Sequence, residues 1–272
     1  MEITSHYETH LDSKKIISAL QQTYPNGADK YQMAPIDQLH IGGIKASEKL
    51  LNNLNSSDKV LEIGSGCGGL MRLVSGEGID VTGLDISHSF NVLNCQLSSI
   101  SKASRNSANP RIITGDAHYL PLPDNCFSVV VMQHSLLNMP DTLRVLSECK
   151  RVLKPSGRLV LHEIFQGKAD IPMSFPVPWA SNLEESCLVN EAEFEELLNE
   201  SGFKIERIDN WTTEALKWRK KQETKEKVLD YADFAVSPLM IFGEQFSQMA
   251  GNVVQNLEQK TIQVVELVVK LK

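Results

Sequence analysis

The chain has 272 residues, a formal net charge of −7 and no lysine/arginine cluster, which argues against a surface built to track nucleic-acid phosphates. Its 42% hydrophobic content is enough for a substantial core, yet no apolar run reaches the length of a membrane span. Five cysteines, at 67, 95, 126, 149 and 187, are odd in number and lack zinc-type spacing; together with a start unlike a signal peptide they predict no disulfide framework, no metal and a reducing cytoplasm.

Residues 10–23 have helical spacing through Ile16, Ile17, Ala19 and Leu20. Tyr24-Pro25-Asn26-Gly27 reads as a loop, followed by a polar stretch to Ala34-Pro35. A second amphipathic helix fits residues 44–54. From Lys59 the texture changes to short apolar runs at 60–63, 80–84, 111–114, 128–132 and 158–163, with helical segments between them. That alternation predicts an α/β fold with a mostly parallel sheet covered on both faces.

A helix over 141–153 runs into Leu153-Lys154-Pro155-Ser156-Gly157, where proline and glycine turn the chain into the fifth strand. A helix at 191–201 and a strand at 203–207 follow. Residues 212–258 read as helices, and the valine-rich segment 261–270 suits either a last strand or a helix. The expected organisation is an N-terminal helical lid over 1–57, a nucleotide-binding core over 58–211, a helical insertion over 212–258 and a final strand within 259–272.

Parallel sheets bind ligands at the carboxyl ends of their strands, and the informative residues fall there. Glu62-Ile63-Gly64-Ser65-Gly66-Cys67-Gly68-Gly69 follows the first strand, and its glycines let the backbone approach a ligand closely. The same glycines satisfy the dinucleotide spacing GxGxxG, so the loop alone leaves the cofactor open. Asp85 ends the second strand, where a carboxylate can accept hydrogen bonds from ribose hydroxyls. Asp116 suits either the exocyclic amine of adenine or a helix N-cap. Gln133-His134-Ser135 follows the fourth strand, and no Tyr-x-x-x-Lys pair suited to hydride transfer occurs.

These motifs, with Gly-Leu-Asp-Ile-Ser, Gly-Asp-Ala and Leu-Lys-Pro-Ser-Gly-Arg, resemble class I S-adenosylmethionine (SAM)-dependent methyltransferases. Within them the chain resembles the small-molecule group of sarcosine/dimethylglycine N-methyltransferases. The resemblance implies a Rossmann-like, seven-stranded fold, SAM as cofactor and S-adenosylhomocysteine (SAH) as product. It puts Gly64, Ser65 and Gly66 beside the methionine moiety, with Glu62 ordering the loop and Gln133 near the transferable methyl. Asp85 would hold the ribose, Ile86 would pack on adenine, and Asp116 with Ala117 would line the adenine pocket.

The implied function is methylation of a small molecule, such as a glycine-derived amine, by a monomer or homodimer. A non-catalytic SAM-binding protein and an NAD(P)-dependent oxidoreductase are the alternatives. His6-Tyr7 resembles the family's tyrosine-bearing start, and 34–43 its Asp-x-x-His-x-Gly lid, bringing Tyr7 to the cofactor and His40 to the acceptor. Tyr7 could equally belong to a frayed terminus, and His40 could be purely structural. His40 and His134 are the candidate general bases should the acceptor need one. Phe175-Pro176-Val177-Pro178-Trp179 is too proline-rich for a helix and suits a wall over the acceptor pocket with Trp179 facing inward; a surface patch is the alternative. Trp211 and Trp218 suit packing of the insertion against the sheet.

Overall fold

The computed structural model describes residues 8–102, 110–228 and 234–272. Among these, β1 (Lys59–Ile63), β2 (Asp80–Asp85), β3 (Arg111–Thr114), β4 (Phe127–Gln133), β5 (Leu153–Gln166), β6 (Phe203–Asn210) and β7 (Ile262–Leu271) form one sheet. Its order is β3-β2-β1-β4-β5-β7-β6. The first five strands pair in parallel, and β7 is antiparallel to both β5 and β6.

Alternation along the strands builds a core on each face. Leu61, Ile63, Val130 and Met132 point to one side, where α6 (Thr142–Val152) and α7 (Glu191–Glu200) contribute Leu146, Cys149 and Phe194. Val60, Val129 and Val131 point to the other side, against Leu50 of α3 (Ile44–Leu51) and Leu70, Met71 and Val74 of α4 (Gly69–Gly76). The remaining helices are α1 (Ser13–Thr23), α2 (Lys30–Asp37), α5 (His88–Ile100), α8 (Thr212–Glu226), the short α9 (Leu239–Phe242) and α10 (Phe246–Glu258).

The valine-rich C-terminal segment is strand β7, inserted between β5 and β6 and buried from Ile262 to Val269. Burial on both faces explains why its apolar residues do not alternate with polar ones. Two features differ from the sequence reading. The polar stretch before Pro35 is helix α2, started by a capping box in which Asp29 and Gln32 satisfy each other's backbone N–H. The Lys154–Gly157 turn is also part of β5: Leu153 pairs with Phe127 and Arg158 with Val129, and Lys154, Pro155 and Ser156 lie exposed at the irregularity between them.

Registers align the strand ends that matter. Ile63 pairs with Leu84 on one side and Met132 on the other, and Asp85 pairs with Thr114. The chain leaves β1, β2, β3 and β4 along one edge, with the reversal of strand order between β1 and β4.

Candidate active site

At the end of β1 the backbone turns through Gly64 (φ 76°), and the N–H groups of Gly64 and Ser65 both donate to the Leu84 carbonyl, at 2.8 and 3.1 Å. A Cβ on Gly64 would lie 2.3 Å from Cβ of Ser135, so glycine is required by close approach as well as by conformation. Gly66 (φ 48°) is different, because a Cβ there would meet nothing within 4 Å. Its N–H donates to Asp85 Oδ2 at 2.8 Å, and the Ser87 N–H donates to Asp85 Oδ1 at 2.9 Å. The loop and the end of β2 are thereby locked together through one buried carboxylate.

Glu62 lies beneath this loop. Burial pushes its carboxyl up to about 8, opposed by the nearby Arg72 charge and reinforced by Asp85. Glu62 Oε2 and Ser65 Oγ are buried without a hydrogen-bond partner.

The strand ends open into a cavity of about 260 Å³. It is lined by Glu62, Gly64, Ser65, Gly66, Asp85, Ile86, Asp116, Ala117, Gln133 and His134, and also by His40 and Trp179. Tyr7 lies outside the described residues. Ile86 is 48% exposed, a large aliphatic face at the cavity rim. Asp116 caps the short turn Ala117–Tyr119 through the His118 N–H, and its Oδ1 also meets His118 Nδ1 at 2.6 Å. Burial alone would lower the pKa of His118, but the Pro140 carbonyl and Asp116 outweigh it and raise it. The capping alternative for Asp116 is therefore realised on a residue that also lines the cavity.

Residues 61–161 match the family model for a methyltransferase domain. That stretch, from β1 into β5, is similar to a methyltransferase domain. A demethylmenaquinone methyltransferase of Thermotoga maritima is 35% identical over 109 residues, covering 39% of this chain and 44% of that protein. The chain thus spans less than half the length of that relative. Two solved structures share the fold. Phosphoethanolamine N-methyltransferase 2 of Haemonchus contortus, in complex with SAM, superposes with a TM-score of 0.74 at 20% identity, covering 100% of this chain and 60% of that one. Geranyl diphosphate C-methyltransferase of Streptomyces coelicolor superposes with a TM-score of 0.67 at 17% identity, covering 94% and 87%.

The segment ahead of β1 is tied to the glycine loop by groups the sequence did not announce. Arg72 of α4 reaches Asp37 at the end of α2 at 2.8 Å, with both side chains nearly fully buried. It also donates to the Cys67 carbonyl at 2.6 Å and to Asn94 Oδ1 at 3.0 Å. Beyond Asp37, the Gly42-Gly43 turn passes beneath Trp211 and Trp218: a Cβ on Gly42 (φ 98°) would fall 2.5 Å from Trp211 Cη2. These two tryptophans therefore pack on this turn, and Trp211 also meets the His162 ring.

Three histidines converge beside this turn. The His134 and His162 rings stack 5.1 Å apart, 5° from parallel, and His40 stands edge-on at 5.7 Å from His134. Burial lowers all three, His40 to about 4 and His162 to about 3, so the rings are neutral near pH 7. His134 itself has φ 51°, in the left-handed region. Its N–H donates to the His162 carbonyl at 2.9 Å, and the next two N–H groups, of Ser135 and Leu136, donate to Glu163 Oε1 at 3.0 Å each. His162 and Glu163 were missed from sequence; the signal was a polar pair closing the apolar run Leu159-Val160-Leu161, the same pattern that marks Asp85. Pro178 and Trp179 line the cavity on a tight turn closed by paired Val177 and Ala180 hydrogen bonds, and Trp179 Nε1 donates to Ser186 Oγ at 3.2 Å.

Proposed function

We propose that this chain binds SAM in the cavity above Gly64–Gly66 and transfers its methyl group to a small-molecule acceptor. The observation that carries this reading is a set of unpartnered buried polar atoms, Glu62 Oε2, Ser65 Oγ and Gln133 Nε2, on residues lining one cavity of a methyltransferase domain. Buried polar atoms are rarely left without partners, so unmet ones around a cavity argue for a polar ligand. The Haemonchus contortus relative, solved with SAM, supports the choice of cofactor.

In this reading Gly66, with open space where a side chain would stand, lets the methionine moiety pass against the backbone. Asp85 retains lone pairs beyond its two backbone hydrogen bonds and accepts from the ribose hydroxyls. Ile86 covers one face of adenine, while Asp116 and Ala117 border its edge. Gln133 is oriented by Ser47, whose hydroxyl donates to Gln133 Oε1 at 3.1 Å; its Nε2 is left to donate to the methionine carboxylate.

Bound SAM supplies an electrophilic methyl group on a sulfonium. The residues of the chain contribute by holding donor and acceptor in line and excluding water, which can supply most of the acceleration for a reactive acceptor. His40 directs Nε2 to the Gly43 carbonyl at 3.0 Å, which gives it a positioning role in the lid turn. The chain has five free cysteines, which fits the reducing cytoplasm we assign to it, as a monomer or homodimer. Among the described residues no helix is long and apolar enough to cross a membrane.

Titration calorimetry with SAM and SAH tests the assignment. Saturable binding of both is expected, and no heat at high micromolar ligand would overturn it. Selective thermal stabilisation by NAD(P) would favour an oxidoreductase instead.

A further inference from the structure

The acceptor end of the cavity has a composition of its own. Gln133 is linked through Ser47 to His40, since Ser47 Oγ lies 3.1 Å from Gln133 Oε1 and 3.3 Å from His40 Nε2. His40 packs against His134, so the histidines adjoin the place where the methyl group would be presented. The cavity-lining Ile41, Leu137 and Trp179 belong to a single apolar cluster beside them. Trp179 has its only polar atom committed to Ser186, so the ring offers carbon to the cavity.

Three of the six ring nitrogens of the histidine group are committed, while His162 Nδ1 and His134 Nε2 are buried without a partner. His162 Nε2 meets the Ile41 carbonyl at 3.3 Å, and His40 Nε2 meets that of Gly43. His134 Nδ1 faces the Ile41 N–H at 3.4 Å. That contact makes Nδ1 the accepting nitrogen, and the single proton of the neutral ring then sits on Nε2, which is buried and has no partner. His134 thus offers a hydrogen bond and no positive charge.

We propose that the methyl acceptor is an uncharged molecule with an apolar body and an oxygen that receives a hydrogen bond from His134 Nε2–H. This inference rests on the SAM-dependent reading and narrows it to a substrate class. An anionic group at the same place would exchange its hydration for an apolar wall and neutral imidazoles that supply no counter-charge, leaving only the SAM sulfonium, which is lost in the SAH complex, to offset a costly transfer. The same argument disfavours a carboxylate-bearing amine such as a glycine derivative. In this tautomer His134 donates, so it selects the acceptor by recognition, and proton acceptance at Nε2 would first need the proton moved to Nδ1.

Calorimetry on SAH-saturated protein tests the proposal with 4-butylphenol, 3-(4-hydroxyphenyl)propanoate and sarcosine as probes. The butylphenol should bind at least about tenfold more tightly than the propanoate, which differs in carrying a carboxylate on a similar tail. His134→Asn, a residue that tolerates the left-handed backbone, should weaken butylphenol binding to SAH-saturated protein about five- to tenfold. Equal or tighter binding of the propanoate or of sarcosine overturns the proposal. So does an absence of butylphenol binding to protein that has bound SAH, a result that leaves the SAM reading standing. Failure of SAH itself to bind removes the SAM reading and this inference with it, and is read in the first titration. The comparison among probes needs no variant, so a misfolded His134→Asn protein does not spoil the test.

Discussion

The Asp37 carboxylate meets the Arg72 guanidinium at 2.8 Å with side-chain exposures of 3% and 4%, joining the last residue of α2 to the helix that follows the glycine loop. Burial raises the pKa of Asp37 even though Arg72 acts to lower it, so desolvation outweighs attraction at this site. Removing one partner leaves the other charge buried alone. Arg72→Met should therefore lower the unfolding free energy by about 3–5 kcal/mol, and Arg72→Met combined with Asp37→Leu should recover much of the loss. Urea denaturation of the unaltered protein and the two variants checks this; a double variant no more stable than Arg72→Met would show that the pair is not the cause.

Gly64 and Gly66 both have positive φ but should respond differently to alanine. Gly64→Ala drives a Cβ to 2.3 Å from Ser135 and should destabilise the fold by more than the backbone strain alone. Gly66→Ala meets no protein atom within 4 Å and should cost about 1–2 kcal/mol of left-handed strain. Its methyl group instead enters the space assigned to the cofactor, so SAM affinity should fall at least about tenfold. Thermal melts beside SAM titrations separate the two outcomes.

Asp85 anchors two backbone N–H groups and faces the cavity. Asp85→Ala should weaken SAM binding by about 1–3 kcal/mol through lost charge-assisted hydrogen bonds. Asp85→Asn keeps the shape and should fall between the two proteins. Wild-type affinity in Asp85→Ala would remove the ribose assignment.

Two buried carboxyls should shape the pH dependence of stability. Burial raises Glu62 to about 8 and Glu163 to about 7, well above the usual glutamate value. Between an unfolded value near 4.5 and these folded values the native state binds more protons than the unfolded chain, so stability falls as pH rises. The raised His118 acts in the same direction at higher pH, because its contribution is full below the unfolded value and is lost as pH passes the folded one. From about pH 7, where the buried histidines are neutral in the folded and unfolded chain alike, melting temperature in the absence of ligand should drop towards pH 9, and Glu62→Gln should flatten that slope; below about pH 6.5 the lowered His40, His134 and His162 act in the opposite direction. An unchanged slope would show that Glu62 is not protonated in the folded protein.

The sequence by itself determined the first six strands in order and the positions of Gly64, Asp85, Asp116 and Gln133 at strand ends. Those features are local: an apolar run, a glycine turn and a polar residue closing a strand are written in consecutive residues. It could not decide between strand and helix for the final valines, because only insertion between β5 and β6 buries both of their faces. Nor could it find the helix over Lys30–Asp37, where the Asp29–Gln32 capping box prevails over an internal proline. The grouping of the three histidines belongs to tertiary structure. His40, His134 and His162 lie apart in the chain, and their neutrality and proton positions follow from burial, from the two backbone groups of Ile41 that His134 and His162 meet, and from the Gly43 carbonyl that His40 meets.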